Sequence, residues 1–219
     1  MKNGLTMFLG VFAIIGASWA VLLLVPHRQY GNLAQFKDPV DETLYPLPLS
    51  GLADQGRLVY QDLGCAICHT QQVRRADFGA DIDRKWGERQ SYARDYLREK
   101  TVHLGGSRLG PDLRNVAARG YADAAFLYKL LYAPHTVAPG TNMPAYPFLF
   151  DLRRTGSAQS SPLALALTGR AAPPAGYEVV PTRRAQALAA YLLSLKDTYD
   201  YPVERAKNTP PAPEKKGGH

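Results

Sequence analysis

Cys65-Ala66-Ile67-Cys68-His69 is the stretch that decides the reading of this 219-residue chain. A Cys-x-x-Cys-His run is an attachment site for a c-type haem. Each thiol can form a thioether to a porphyrin vinyl group, and the histidine that follows brings its imidazole under the iron. The other uses of such a pair lack their context. A thioredoxin-like redox pair belongs beside a βαβ pattern, which is absent. A zinc site needs more ligands, and Cys65 and Cys68 are the only cysteines. One haem c is therefore the expected cofactor, with its iron on His69, in an oxidising compartment.

The sixth iron position has one natural candidate. Met1 starts the chain and Met7 lies in an apolar segment. Met143 lies in Thr141-Asn142-Met143-Pro144-Ala145-Tyr146-Pro147. Met143 is thus the thioether available to a water-exposed haem, and His/Met ligation makes an electron-transfer site of raised potential. His103 and His135 read as ordinary polar residues; either would serve only if the methionine loop were displaced.

Residues 5–25, from Leu5 to Val25, carry no charge. At ~1.5 Å per residue they span about 31 Å, close to the ~30 Å hydrocarbon core. Lys2 precedes them, and Pro26, His27 and Arg28 end them. A cleaved signal peptide is the rival reading, because Ser18-Trp19-Ala20 resembles a small-x-small site. Against it, Val21 to Val25 continue the apolar run past that point. Residues 1–28 are expected to be an uncleaved transmembrane anchor. Gly10, Ala13, Ala17 and Ala20 share one small face, the kind that lets membrane helices approach closely. Haem c is attached on the outer side of the bacterial inner membrane, which sets the orientation: a single-pass anchor with the rest of the chain in the periplasm.

The formal charge of +7 is uneven. Residues 29–64 are net −3, and residues 71–119, just after the Cys motif, are net +4. Nucleic acid is not the expected partner; these arginines read as a solvated surface, with some of them facing haem propionates. Residues 29–50, with Gly31, Pro39, Pro46 and Pro48, read as an extended linker. Residues 51–204 read as one domain. Apolar stripes predict helices over 53–64, 123–132 and 183–196, with Asp123 and Thr182 as N-caps. No run alternates as a strand, so the expected class is all-α with long loops. Residues 151–178 read as a surface insertion and 205–219, with Pro210, Pro211 and Pro213, as a disordered tail.

A helix, Cys-x-x-Cys-His, loops, a loop methionine and an aromatic final helix is the layout of class I cytochromes c. In that layout the first and last helices cross, with Gly56 at the close approach and Tyr60 and Tyr191 in the crossing. Gly64-Cys-Ala-Ile-Cys-His-Thr-Gln71 with Arg74, Gly106-Ser-Arg-Leu-Gly-Pro-Asp-Leu113 and Asn142-Met-Pro-Ala-Tyr-Pro147 resemble more specifically the mono-haem subunit, the FixO or CcoO family, of cbb(3)-type cytochrome c oxidases. That resemblance implies haem c on Cys65 and Cys68, and His69 and Met143 as axial ligands. It also implies that the Pro111 carbonyl accepts the His69 N–H. The implied partners are a haem-copper catalytic subunit that reduces oxygen, other cytochrome subunits in the membrane, and an electron-donor cytochrome. The chain itself would catalyse no bond chemistry. Arg74 is a candidate for a haem propionate, with a solvated surface as the alternative, and Tyr146 and Phe148 are candidates to wall the haem. The glycine loop is one residue shorter than the family pattern, and Phe148 stands where tryptophan is usual. The small cytochrome subunit of nitric oxide reductase and a haem-based gas or redox sensor are the alternative readings.

Overall fold

A proline inside an apolar helix shapes the N-terminal segment. In the computed structural model, which describes residues 3–155, 160–197 and 199–204, one helix runs from Gly4 to Tyr30. Its 27 residues are long and apolar enough to cross a membrane. It consists of α1 (Gly4–Trp19), a wide π-helical turn (Ala20–Leu24) and α2 (Val25–Tyr30). Pro26 has no N–H to donate back along the helix, and its ring crowds the turn before it. The wide turn absorbs that crowding: the Val25 N–H reaches Ala20 O, five residues back. The helix therefore continues through Pro26, His27 and Arg28, where the sequence suggested an end.

The described chain forms two compact units. The first contains this helix, the residues up to Leu47, and Tyr92–Glu99. The stretch expected as an extended linker holds a small antiparallel hairpin, β1 (Phe36–Lys37) with β2 (Leu44–Tyr45). Aspartates build its turn: Asp38 Oδ1 accepts Val40 N–H at 2.7 Å and Asp41 Oδ1 accepts Thr43 N–H at 2.9 Å. Arg94 donates to Ala34 O, and Arg98 donates to Gln35 Oε1 at 3.4 Å, so the segment 92–99 braces the chain before the hairpin.

The second unit runs from Pro48 to Ser91 and from Lys100 onward. Its frame is α3 (Gly51–Asp62) packed across α6 (Arg183–Ser194), with α4 (Ala124–Tyr132) alongside. Side chains cap all three: Ser50 accepts from Ala53 N–H, Asp123 from Phe126 N–H and Thr182 from Ala185 N–H. At the α3–α6 crossing Gly56 has no room for a side chain; a Cβ there would lie 1.8 Å from Ala187 O. Tyr60 and Tyr191 meet edge-to-face at 5.5 Å beside it. Val59, Leu127, Leu131, Leu149, Leu188 and Leu192 complete the core. Pro134 ends α4 as expected, but it also opens one more turn, α5 (Pro134–Val137).

The expectation of a domain without strands is corrected. β3 (Phe150–Arg154) pairs antiparallel with β4 (Tyr177–Pro181), from Phe150 opposite Pro181 to Arg154 opposite Tyr177. β3 reads Phe-Asp-Leu-Arg-Arg, too charged to show an apolar face, and its partner comes more than twenty residues later. Residues 151–178, read as a surface insertion, thus start and end in a sheet. Between the strands Leu165 N–H bonds to Val179 O at 2.9 Å, and Leu165 and Leu167 pack on the core. The tail at 205–219 lies outside the described residues.

Candidate functional site

Helix α3 delivers the Cys motif. Gly64, with φ of +67°, ends the helix in the left-handed region that favours glycine. The chain then makes one tight turn, Cys65–Ile67. Both Cys68 and His69 N–H groups bond back to Cys65 O, at 3.2 and 3.0 Å. The turn places both thiols and the imidazole at the end of one helix. Cys65 and Cys68 are half-buried and not joined to each other in a disulfide.

A second segment, residues 104–113, runs beside the motif and is sewn to it. Gly106 N–H bonds to Ala66 O at 3.1 Å, Gly110 N–H to Cys68 O at 2.9 Å and Leu113 N–H to Thr70 O at 2.8 Å. Gly110 lies against the His69 ring so closely that a Cβ would be 2.3 Å from Cε1 and 2.7 Å from Nδ1. The next residue sets the tautomer. His69 Nδ1 is 2.8 Å from Pro111 O. A carbonyl only accepts, so Nδ1 carries the proton and Nε2 carries the lone pair. Burial is the main influence on this ring and lowers its proton affinity, which keeps the imidazole neutral.

The methionine loop is pinned at two places. Tyr146 N–H bonds to Leu131 O at the end of α4, at 2.8 Å. Thr182, the cap of α6, donates both its N–H and its hydroxyl to Leu149 O, at 3.0 and 2.7 Å. Met143 N–H bonds to Thr141 Oγ1 at 3.2 Å, and Pro144 biases Met143 to extended backbone. Met143, Tyr146, Cys65, Ala66, Leu63 and Leu113 are half-buried and all pack against the same core cluster. Burial also raises the Tyr146 phenol pKa.

These residues fit an iron porphyrin. They give an apolar wall that the core leaves partly uncovered, a neutral imidazole with its Nε2 lone pair unspent, and one thioether. A bare metal ion would need a different set, and among the described residues no three His, Cys, Asp or Glu gather to hold one. A lone imidazole and a lone thioether suit a metal already held by a macrocycle.

The other candidates have different surroundings. Phe148 is 66% exposed and touches Tyr146 edge-to-face at 5.9 Å. The Arg74 guanidinium lies 6.0 Å from the Phe78 ring, and its backbone N–H bonds to Asp81 Oδ2. The arginine tied to the motif's exit is Arg108, which donates to Gln72 O at 2.6 Å and pairs with buried Asp81. His135 is exposed. His103 is a core residue packed on Tyr60 at 5.5 Å. Sequence reasoning missed Arg108, Asp112 and Arg119, although the first two lie in the Gly106–Leu113 loop it singled out.

The comparisons point the same way. A family model described as cytochrome c oxidase, mono-heme subunit/FixO matches residues 6–172. A comparison with curated proteins gives no match. The family match covers well over half of the chain, from the apolar helix to beyond the methionine loop, and the chain belongs to the FixO family, the mono-haem subunits of cytochrome c oxidase.

Proposed function

We propose that this chain is the electron-transfer subunit of a cbb(3)-type oxidase, built as a membrane-anchored class I cytochrome c. Cys65 and Cys68 would hold one haem c through thioethers, and His69 Nε2 and the Met143 sulfur would ligate its iron. The observation that carries this reading is the His69–Pro111 bond of 2.8 Å, which spends Nδ1 and leaves Nε2 as the donor. Such a bond orients the ring and raises its basicity as a ligand. When bound, the haem supplies a one-electron iron couple.

Each protein group then has a stated task. The Pro111 carbonyl holds the His69 proton, and the bare Cα of Gly110 makes room for the ring. The bonds to Leu131 O and from Thr182 anchor the methionine loop and would hold the Met143 sulfur toward the iron. Tyr146 and Leu63 keep water from the apolar wall. Residues Gly4–Tyr30 anchor the chain in the bacterial inner membrane, with the haem domain in the periplasm. There it takes electrons from a donor cytochrome or a neighbouring cytochrome subunit. It passes them to the haem-copper subunit, which reduces oxygen to water.

The test is haem staining after denaturing electrophoresis of the chain purified from its native membrane. Stain should stay with the 24 kDa band, and a haem-copper subunit should co-purify. Cys68→Ala should leave at most one thioether and a poorly matured protein. Haem that leaves the band in acidified organic solvent would refute covalent attachment.

A further inference from the structure

The peptide group whose oxygen holds His69 is itself held by its neighbour's side chain. Asp112 is fully buried. Its Oδ2 accepts the Thr70 hydroxyl at 2.6 Å and the Gln72 N–H at 2.7 Å, and its Oδ1 accepts the Arg114 N–H at 2.9 Å. The Arg108 guanidinium stands 3.8 Å away, itself fastened to Gln72 O and Asp81. The Asp112 carbonyl accepts from Arg119. Thr70 and Gln72 are the first and third residues after His69. One carboxylate therefore clamps the exit of the Cys motif to the segment that supplies the Pro111 carbonyl.

The geometry leaves that carbonyl few ways to move. The proline ring sets φ of Pro111. What remains is rotation of the Pro111–Asp112 peptide plane, through ψ of Pro111 and φ of Asp112. The bond from Arg114 N–H to the Asp112 carboxylate closes a local turn that fixes the Asp112 side chain against its own backbone, and so holds the Cα end of that peptide plane. The bonds from Thr70 and Gln72 set the distance between that turn and His69.

We infer that Asp112 is a positioning residue for the iron site: through Thr70, Gln72 and Arg114 it aims the Pro111 carbonyl at His69 Nδ1, and so tunes the donor strength of the imidazole and the reduction potential. This inference rests on His69 being the proximal ligand. Weakening the aim would loosen the Nδ1 proton, lower ligand basicity and destabilise the ferric state, so the potential would rise.

The experiment uses the haem-loaded full chain, labelled with 15N-histidine, in wild-type, Asp112→Asn and Thr70→Val forms. Asp112→Asn turns one acceptor oxygen into a donor that must face an N–H or the Thr70 hydroxyl. Thr70→Val removes one donor, keeps every charge and is the gentler change. The readouts are the solvent-exchange rate of the His69 Nδ1 proton in the reduced protein and the reduction potential. We expect exchange to quicken about fivefold or more in both variants, from the loss of one net hydrogen bond. The potential should rise in both, with the haem still six-coordinate. A rise in Thr70→Val reports the imidazole bond alone, since no charge has changed. Exchange rates equal to wild type in both variants overturn the inference, whatever the potentials or melting temperatures do. A wild-type protein whose Nδ1 proton shows no haem-induced shift overturns the ligand assignment instead.

Discussion

Gly110→Ala should dislodge His69, and the size of the effect follows from one contact. The added methyl would sit 2.3 Å from Cε1, 2.7 Å from Nδ1 and 2.9 Å from Nε2 of the ring. Ordinary van der Waals contact begins at 3.4 Å, so the ring or the segment must give by more than an ångström. Neither is free to do so. The ring is tied through Nδ1 to Pro111, and the segment is tied through Gly110 N–H to Cys68 O at 2.9 Å. Overpacking of this kind costs about 1–3 kcal/mol, and losing the Nδ1 bond adds about 1 kcal/mol. For a chain of this size that is a fall of about 5–15 °C in Tm. Gly106→Ala is the control, because nothing lies within 4 Å of a Cβ there and its N–H bond to Ala66 O is kept. The assay is thermal unfolding of the haem-loaded chain followed at the haem absorption. If Gly110→Ala melts within 2 °C of Gly106→Ala (~0.5–1 kcal/mol on the same scale) with an unchanged spectrum, the packing argument fails.

Two further outcomes follow from the same contacts. Met143→Ala should leave the haem attached but open its distal side, so that the reduced protein binds carbon monoxide where wild type does not. Equal carbon monoxide binding by both would remove Met143 from the site. His103 is buried against Tyr60, and burial, followed by the Arg57 charge, depresses its pKa. The unfolded state therefore binds its proton first. Stability should fall as pH drops below about 6.5 and level off once the depressed folded value is passed. His103→Phe should abolish that part of the slope, read from urea unfolding at pH 5 to 8; an unchanged slope assigns the proton to another group.

What could be read in the sequence was local or chemically narrow. Asp123 and Thr182 announce α4 and α6 because a side-chain oxygen ahead of an apolar stripe satisfies orphan N–H groups. Cys65, Cys68 and His69 name their cofactor because few other uses suit that spacing. The missing parts depend on pairing across distance. β3 shows mainly charge, and it is a strand because Arg153 finds Glu178, which also accepts Ser160 Oγ–H and Ser161 N–H. Asp112 reads as one acid in a basic stretch until the fold brings Thr70 and Gln72 to it, some forty residues away. Phe148, expected beside Tyr146 as part of the haem wall, stands on the short helical turn Pro147–Leu149 with its ring against Tyr146.

The central claim is a closed six-coordinate iron between His69 and Met143, serving electron transfer. It is tested most directly on the wild-type chain from its native membrane, oxidised and then reduced, at neutral pH. The ferric protein should show the weak near-infrared band of sulfur ligation, and the reduced protein should not bind carbon monoxide. A ferric spectrum without that band, together with reversible carbon monoxide binding, would contradict the account and favour a haem-based sensor.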